Sequence, residues 1–384
     1  MNKLYVVAYP ACLLIMAFAL SALAGVETGE VEDIIDDERY GMVVLPGYGN
    51  SGVLHIKGRM YTIGKGYGEF MKEAPFPRIK RPISSLAGFF PDGAKEKPVT
   101  IRAGVAGKAA RTDGRGYFSA SLTAPPEGRW KGTTGVELIA RDGRLFRGTV
   151  YVPSPDAELG VISDIDDTVK ITGVHDHGKV VKAVLFGDAE TDKPVPGMAA
   201  LYADIARSGN KGPRPFHYVS ASPYAFSTRI VKFLSLNHFP SGSLDLMKLD
   251  LSKDVMSGVA ARIVKFLPLN HFPSGALDLM KLDLSKDVTS GVAARIVQYK
   301  ESAIENIFAA FPGRKFLLFA DNGQEDPKIY SRLLSSHPDR IEAIYIREVE
   351  EGRAGHTEYP GSLFFTSPDE VRADLVKRGI IRRD

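Results

Sequence analysis

Cysteine is nearly absent: among 384 residues the single one is Cys12, inside an apolar N-terminal stretch. Disulfide staples and thiol chemistry are thereby excluded from everything after residue 24. Cys12 also lacks the leucine-led, small-residue context of a lipidated cysteine, so a lipid anchor there is not expected. Charge of one sign is missing too. The formal net charge of +3 is spread along the chain, which is no nucleic-acid footprint. Past residue 24 no hydrophobic run reaches the roughly 20 residues that a membrane-spanning helix needs. Disorder is not indicated at 44% apolar and 25% charged residues, and the length has room for two domains.

The chain opens with Lys3 and then an uncharged run from Leu4 to Ala24 that ends Ala22-Leu23-Ala24. This reads as a secretory signal over 1–24, cleaved before Gly25, and implies an exported protein, periplasmic or secreted. The alternative is an inner-membrane anchor formed by residues 4–24. An acidic lead-in follows to about residue 40. From there to Pro155 short β-rich runs recur at 41–45, 53–63, 99–105, 117–122, 136–140 and 145–152. Asp142-Gly143 supplies a two-residue hairpin turn. Strands at this spacing predict an all-β, sandwich-like domain over 25–155. Gly47-Tyr48-Gly49-Asn50-Ser51-Gly52 matches the dinucleotide fingerprint in letters, yet the next residues alternate like a strand, so a glycine-rich turn is expected. Arg78, Lys80 and Arg81 among Phe76, Phe89 and Phe90 are compatible with peripheral contact to an anionic membrane, although a solvated proline-rich loop is the simpler reading.

The rest of the chain is organised around Gly160-Val161-Ile162-Ser163-Asp164-Ile165-Asp166-Asp167-Thr168, an apolar strand running into three carboxylates and a threonine. If the strand continues, Asp164 and Asp166 project to one side. Two carboxylates in one small site imply a bound Mg²⁺ or a shared proton. Either suits catalysis in which one carboxylate attacks phosphorus and the other moves protons. A calcium loop is excluded, because Val169 and His175 stand where glycine and glutamate are required.

Asp-x-Asp-x-Thr after an apolar strand resembles the first motif of the haloacid dehalogenase superfamily. The fuller string Ser-Asp-Ile-Asp-Asp-Thr resembles the catalytic domain of the actin-patch-associated phosphatidate phosphatases, whose bacterial members are often exported. Tyr218-Val219-Ser220-Ala221-Ser222-Pro223 and the run from Phe319 to Tyr330 agree in order and spacing. The resemblance covers about residues 156–350 and implies a Rossmann-like parallel sheet over 156–384. It also implies a Mg²⁺-dependent phosphomonoesterase converting phosphatidate to diacylglycerol through an aspartyl-phosphate. Asp164 would be the nucleophile, Asp166 the acid and then the base, and Lys300 the cation offsetting the phosphoryl charge. Thr168 and Ser220 would bind the phosphoryl group. Ser222 is the second candidate there, although it also reads as a helix N-cap before Pro223. Asp321 and Asp326 would complete an all-oxygen metal shell with Asp164 and the backbone carbonyl of Asp166. Ala320 departs from the family, which usually has glycine before that aspartate. His175-Asp176-His177 reads as a polar flap rather than a transition-metal site.

The expected order in this region is strand 160–165, helix 197–208, strand 215–220, helix 223–236, strand 244–251, helix 292–311, strand 315–320, helix 326–336 and strand 341–346. Residues 229–261 and 262–294 are a tandem repeat of 33 residues, differing at Ser235/Pro268, Ser243/Ala276 and Met256/Thr289. Two copies are too few for a solenoid. One copy is expected to build the core strand and the other to pack outside it, with Pro268 marking the second as the irregular one. Lys300 follows the second copy, so a hybrid stays open. The expected partner is a phosphorylated lipid; a soluble phosphate ester, or a decayed binding protein without catalysis, are the alternatives.

Overall fold

The structure is a computed structural model that describes residues 39–63, 93–126, 128–172, 189–190, 192–248, 286–323, 325–349 and 358–382. The leader, the Arg78–Arg81 patch, the His175–His177 run and most of the second repeat copy lie outside those residues.

Alternation in the sequence becomes pleat in the N-terminal domain. In β3 (Val53–Ile63) Leu54, Ile56 and Met60 face inward, and in β4 (Pro98–Ala103) Val99, Ile101 and Ala103 do. Together with β1 (Arg39–Val44), β2 (Gly47–Gly49), β5 (Ala106–Arg111), β6 (Tyr117–Thr123), β7 (Gly132–Ala140) and β8 (Leu145–Val152), they form one eight-stranded sheet. Its order is β1-β3-β2-β8-β7-β4-β5, with β6 paired to β3. The expected sandwich is corrected in form: the hydrogen bonding is continuous, and the sheet curls until Ile56 on β3 and Ile101 on β4, with three strands between them, share one core. The glycine-rich run is a strand and turn, as expected, and Asn50 Oδ1 closes it by accepting from the Gly52 and Val53 amides at 2.9 and 3.0 Å. The Asp142-Gly143 hairpin is longer than two residues. Gly143 N donates to Ala140 O at 3.0 Å with Gly143 at φ 81°, a turn that places the glycine in the left-handed position.

The second domain is a six-stranded parallel sheet in the order β13-β12-β9-β14-β15-β16: β9 Leu159–Ser163, β12 Phe216–Pro223, β13 Gly242–Met247, β14 Lys315–Asp321, β15 Ile341–Arg347 and β16 Ser362–Phe365. Between β9 and β12 a short pair, β10 (Lys170–Ile171) with β11 (Lys193–Pro194), stands off the sheet. The central strands are apolar without alternation because both faces are covered. On one face α1 (Met198–Arg207), α2 (Ser227–Leu236) and α5 (Pro368–Lys377) pack on Val161, Leu317 and Phe319. On the other, α3 (Lys286–Ala310) and α4 (Asp326–Ser336) pack on Ile162, Phe316 and Leu318. Within this sheet the strands run 3-2-1-4-5-6 in chain order, so the winding direction reverses between β9 and β14, and the crevice at their C-terminal ends is where such sheets bind ligands.

Some elements differ from expectation. The strand expected over 244–251 ends at Met247, and β16 and α5 were not anticipated. The repeat is divided: Arg229–Met247 of the first copy supply the end of α2 and all of β13, while α3 begins within the second copy. This is the hybrid arrangement, with 249–285 between its halves outside the described residues. The two domains are clasped together. Leu244 N donates to Pro46 O at 2.9 Å, Asn50 Nδ2 to Ala310 O at 3.0 Å, and Lys57 Nζ lies 2.8 Å from Asp245 Oδ2. Among the described residues no helix is long and apolar enough to cross a membrane.

Candidate active site

The crevice side chains come from the ends of β9, β12 and β14 and from two helices behind them. Strand β9 ends at Ser163, and Asp164 N continues the ladder by donating to Phe319 O at 2.9 Å. The chain then turns, with Ile165 O accepting from Val169 N and Lys170 N at 3.0 and 3.1 Å. Asp167 takes the left-handed φ of 55° that aspartate tolerates better than most residues. Its carbonyl is gripped by Arg347 Nη1 at 2.6 Å, and its Oδ1 accepts from Thr172 N at 2.8 Å. Because of this turn the strand alternation expected for Asp164 and Asp166 does not apply. The two carboxylates face different partners.

Asp164 joins Asp321 and Asp326 in a buried trio in which one carboxylate oxygen from each lies within 4.8 Å of the others. Lys300, 3% exposed, stands among them, its Nζ at 2.8 Å from Asp164 Oδ1 and 2.7 Å from each oxygen of Asp326. It projects from the middle of α3, so it is neither at a helix start nor facing solvent. Asp326 opens α4, where the helix dipole favours a carboxylate. Thr168 Oγ1 donates to Asp164 Oδ2 at 3.3 Å. Asp321 Oδ1 accepts from Gly323 N at 2.6 Å, but its Oδ2 is buried with no hydrogen-bond partner.

Asp166 points elsewhere. Lys170 Nζ lies 3.0 Å from its Oδ1, while Ser222 and Ser220 donate to Oδ2 at 2.9 and 3.3 Å. Ser222 is therefore no helix cap. It lies on the irregular end of β12, its Oγ nearer to Asp166 than that of Ser220. Ala320 fits within unbroken β14, paired with Ile346 and fully buried. Reading the sequence missed Lys170 and Arg347. Lys170 is four residues from Asp166, a spacing that signals a pair on a helix, whereas here the two flank the turn 167–169, Lys170 opening β10.

Electrostatics divide the carboxylates. Burial pushes Asp164 up to about 7 against the pull of Lys300, with Asp326 and Asp166 adding to the rise. Burial also raises Asp321 well above the carboxylate range, reinforced by Asp164 and Asp326. Lys300 loses to burial but gains more from Asp164 and Asp326, and is held firmly protonated. At Asp166 burial is outweighed by Lys170 and by hydrogen bonds from Lys170, Ser222 and Ser220, so the group is held below its ordinary range. Three buried carboxylates against one ammonium leave negative charge in excess, and Asp321 Oδ2 lacks a partner. An all-oxygen donor set of this kind fits a hard divalent cation.

Such a site, at the strand ends of an α/β sheet, is suited to holding a cation or an anionic group between carboxylates and an ammonium. Residues 159–261 and 258–348 each match the family model for the phosphatidate phosphatase APP1 catalytic domain, the break falling at the junction of the duplicated segments. Phosphatidate phosphatase APP1 of Saccharomyces cerevisiae is 29% identical over 192 residues, 49% of this chain and 26% of that protein. An uncharacterised protein of Schizosaccharomyces pombe is 27% identical over 194 residues, 50% of this chain and 25% of its own length. The chain thus spans about a quarter of the length of these curated relatives. Among solved structures, the chitinase ChiW from Paenibacillus covers 94% of the chain and 33% of its own at 7% identity and a TM-score of 0.21, too slight a likeness to bear on the fold. Residues 159–348 are accordingly similar to the catalytic domain of the phosphatidate phosphatase APP1 family.

Proposed function

We propose that this chain is an exported, Mg²⁺-dependent phosphatase of the haloacid dehalogenase type that removes phosphate from a membrane lipid phosphate, converting phosphatidate to diacylglycerol. The observation that carries the reading is the buried trio Asp164, Asp321 and Asp326 around Lys300, with one carboxylate oxygen left unpartnered. Phosphatidate as substrate is supported by the name of the yeast relative. Asp164, Asp321 and Asp326, with the backbone carbonyl of Asp166, would hold the cation. Bound there, Mg²⁺ supplies positive charge that keeps Asp164 ionised and offsets the phosphoryl oxygens.

In the reaction an Asp164 oxygen attacks phosphorus and the bond to the leaving oxygen breaks. Asp166 gives that oxygen its proton. Asp166 then takes a proton from water as the water oxygen attacks phosphorus, freeing Asp164 and inorganic phosphate. The resting hydrogen bonds supply a reason for the timing. Ser220 and Ser222 hold Asp166 ionised while the site is free; a phosphoryl group that recruits their hydroxyls removes two of the bonds favouring the anion, so Asp166 gains affinity for the proton it must donate. Lys300 stays paired with Asp164 and balances the charge arriving with the substrate.

The test is phosphate release from phosphatidate-containing vesicles and from water-soluble esters, in chelator and then with Mg²⁺ restored. Release from vesicles that depends on Mg²⁺ is expected. Release from soluble esters alone would replace the lipid with a small phosphate ester. No release from either would make the chain a binding protein.

A further inference from the structure

The two domains are clasped without closing on each other. Between α3 and strands β3 and β6 run two adjoining cavities of about 430 Å³ each, sharing Lys57, Ser119 and Asn306 as walls, so that they form one groove. Each has the size of a small-molecule site, roughly 300–1,000 Å³. The α3 wall is a helical stripe, Arg295, Gln298, Tyr299, Ser302 and Asn306, at intervals of three and four residues. Tyr224, two residues beyond Ser222, is one of its walls, while none of Asp164, Asp166, Lys300, Asp321 and Asp326 lines it.

Its charge is one-sided. Lys57, Lys108, Lys248 and Arg295 line it, and Asp245 is the one carboxylate among the described lining residues. Asp245 is taken by Lys57 at 2.8 Å. Lys108 donates to a carbonyl, Ser121 O, at 3.0 Å, and Lys248 lies 3.9 Å from the Asp113 carboxylate. Hydroxyls and amides fill the spaces between the cations, and Tyr299 contributes a buried hydroxyl with no hydrogen-bond partner. Burial first, and then Asp245, hold that hydroxyl protonated. Large aliphatic side chains are few, so the walls do not suit acyl chains.

We propose that this seam is a second ligand site, separate from the phosphoryl-transfer site, that takes a phosphorylated polyol of the glycerol phosphate kind. The cations receive the phosphate, and the serines, Asn306 and Gln298 receive hydroxyls. The same chemistry occurs in free glycerol phosphate and in the headgroup of an anionic glycerolipid.

The experiment uses the full chain with Asp164→Asn, so that no probe is consumed. Binding of sn-glycerol 3-phosphate is titrated by calorimetry, and co-sedimentation is measured with phosphatidylcholine vesicles with and without phosphatidylglycerol. Adding Lys108→Gln and Arg295→Gln is expected to weaken one of the two arms by at least about tenfold, the loss of two charge-assisted contacts. Loss in the calorimetric arm assigns the site to the free ester, and loss in the vesicle arm to the headgroup. Ser302→Trp, at an exposed position, fills the groove without removing charge and should produce the same loss. With Asp164 intact, these variants should hydrolyse p-nitrophenyl phosphate at the parental rate. Unchanged binding in both arms for both variants would overturn the proposal. Because the readout is binding, a chain that hydrolyses nothing would still decide it.

Discussion

At the residue scale the two aspartates of the first motif are distinguished by their neighbours more than by their spacing. Asp164 faces the carboxylate trio and Lys300, and Asp166 faces Lys170 and two serines, so equal replacements should act differently. Asp164→Asn replaces the attacking carboxylate with a non-nucleophilic amide and is expected to lower steady-state phosphate release by at least about 10³-fold. Asp166→Asn leaves attack possible and should let phosphoenzyme accumulate, detectable by acid quench and intact-mass measurement. Lys300→Met should abolish activity and also cost about 3–5 kcal/mol of stability, because Asp164 and Asp326 lose their buried counterion; a melting temperature near the parent's would refute that. The pH dependence follows from the raised groups. In chelator, Asp164 near 7 and Asp321 also raised keep protons that the unfolded chain releases above about pH 4. The native state then binds more protons than the unfolded one, so stability should fall as pH rises from about 4 to about 7. Denaturant titrations in chelator should show this slope, Mg²⁺ should flatten it, and Asp164→Asn should reduce it. A flat profile in chelator would mean that the trio is not strained by its own charge.

At the element scale, the duplicated segment makes β13 the informative strand. His217 Nδ1 pairs with Ser243 Oγ at 2.7 Å inside the sheet, and His217 Nε2 is already buried without a partner. Ser243→Ala would orphan both ring nitrogens and should cost about 1–3 kcal/mol, seen as a lower melting temperature with catalysis retained; adding His217→Leu should recover most of the loss. The second copy carries Ala276 at the equivalent place, so the first copy is the better match to the core. Pro268 and Ala276 both fall in 249–285, outside the described residues. Much of this domain was legible, because apolar runs ending in Asp164, Ser220 and Asp321 signal buried parallel strands whose ends meet. What escaped had weak local signals. The six residues of β5 include neither a β-branched nor an aromatic side chain and form an edge strand, and β16 is only four residues long. The Ser367/Glu370 capping box of α5 was in view as letters, but no apolar periodicity of comparable strength follows it. Lys170 and Arg347 reach the site through a turn and a strand end, relations that spacing does not encode.

At the scale of the whole molecule, the question is how one sheet absorbs 33 extra residues without losing its site. Insertion within α2 or β13 would break a helix or push apart strands that must present Ser220 and Asp321 together. The chain instead keeps Arg229–Met247 from the first copy and starts α3 in the second, so the surplus falls between 248 and 286. Removing Arg262–Ala294 tests this directly. The deletion joins Ala261 to Arg295, and Ala294-Arg295 is already that same dipeptide. Upstream of the new junction, Lys253–Ala261 reproduces Lys286–Ala294 except for Met256 in place of Thr289, so α3 would be rebuilt with one substitution and Lys300 would keep its phase. Neither Ser243 nor any residue of the trio moves in the sequence relative to its own element. The shortened chain is therefore expected to fold, to melt no lower than the parent, and to release phosphate at an equal or higher rate. A soluble but inactive product would mean that the surplus residues take part in the active site, and an insoluble one that they are integral to the fold.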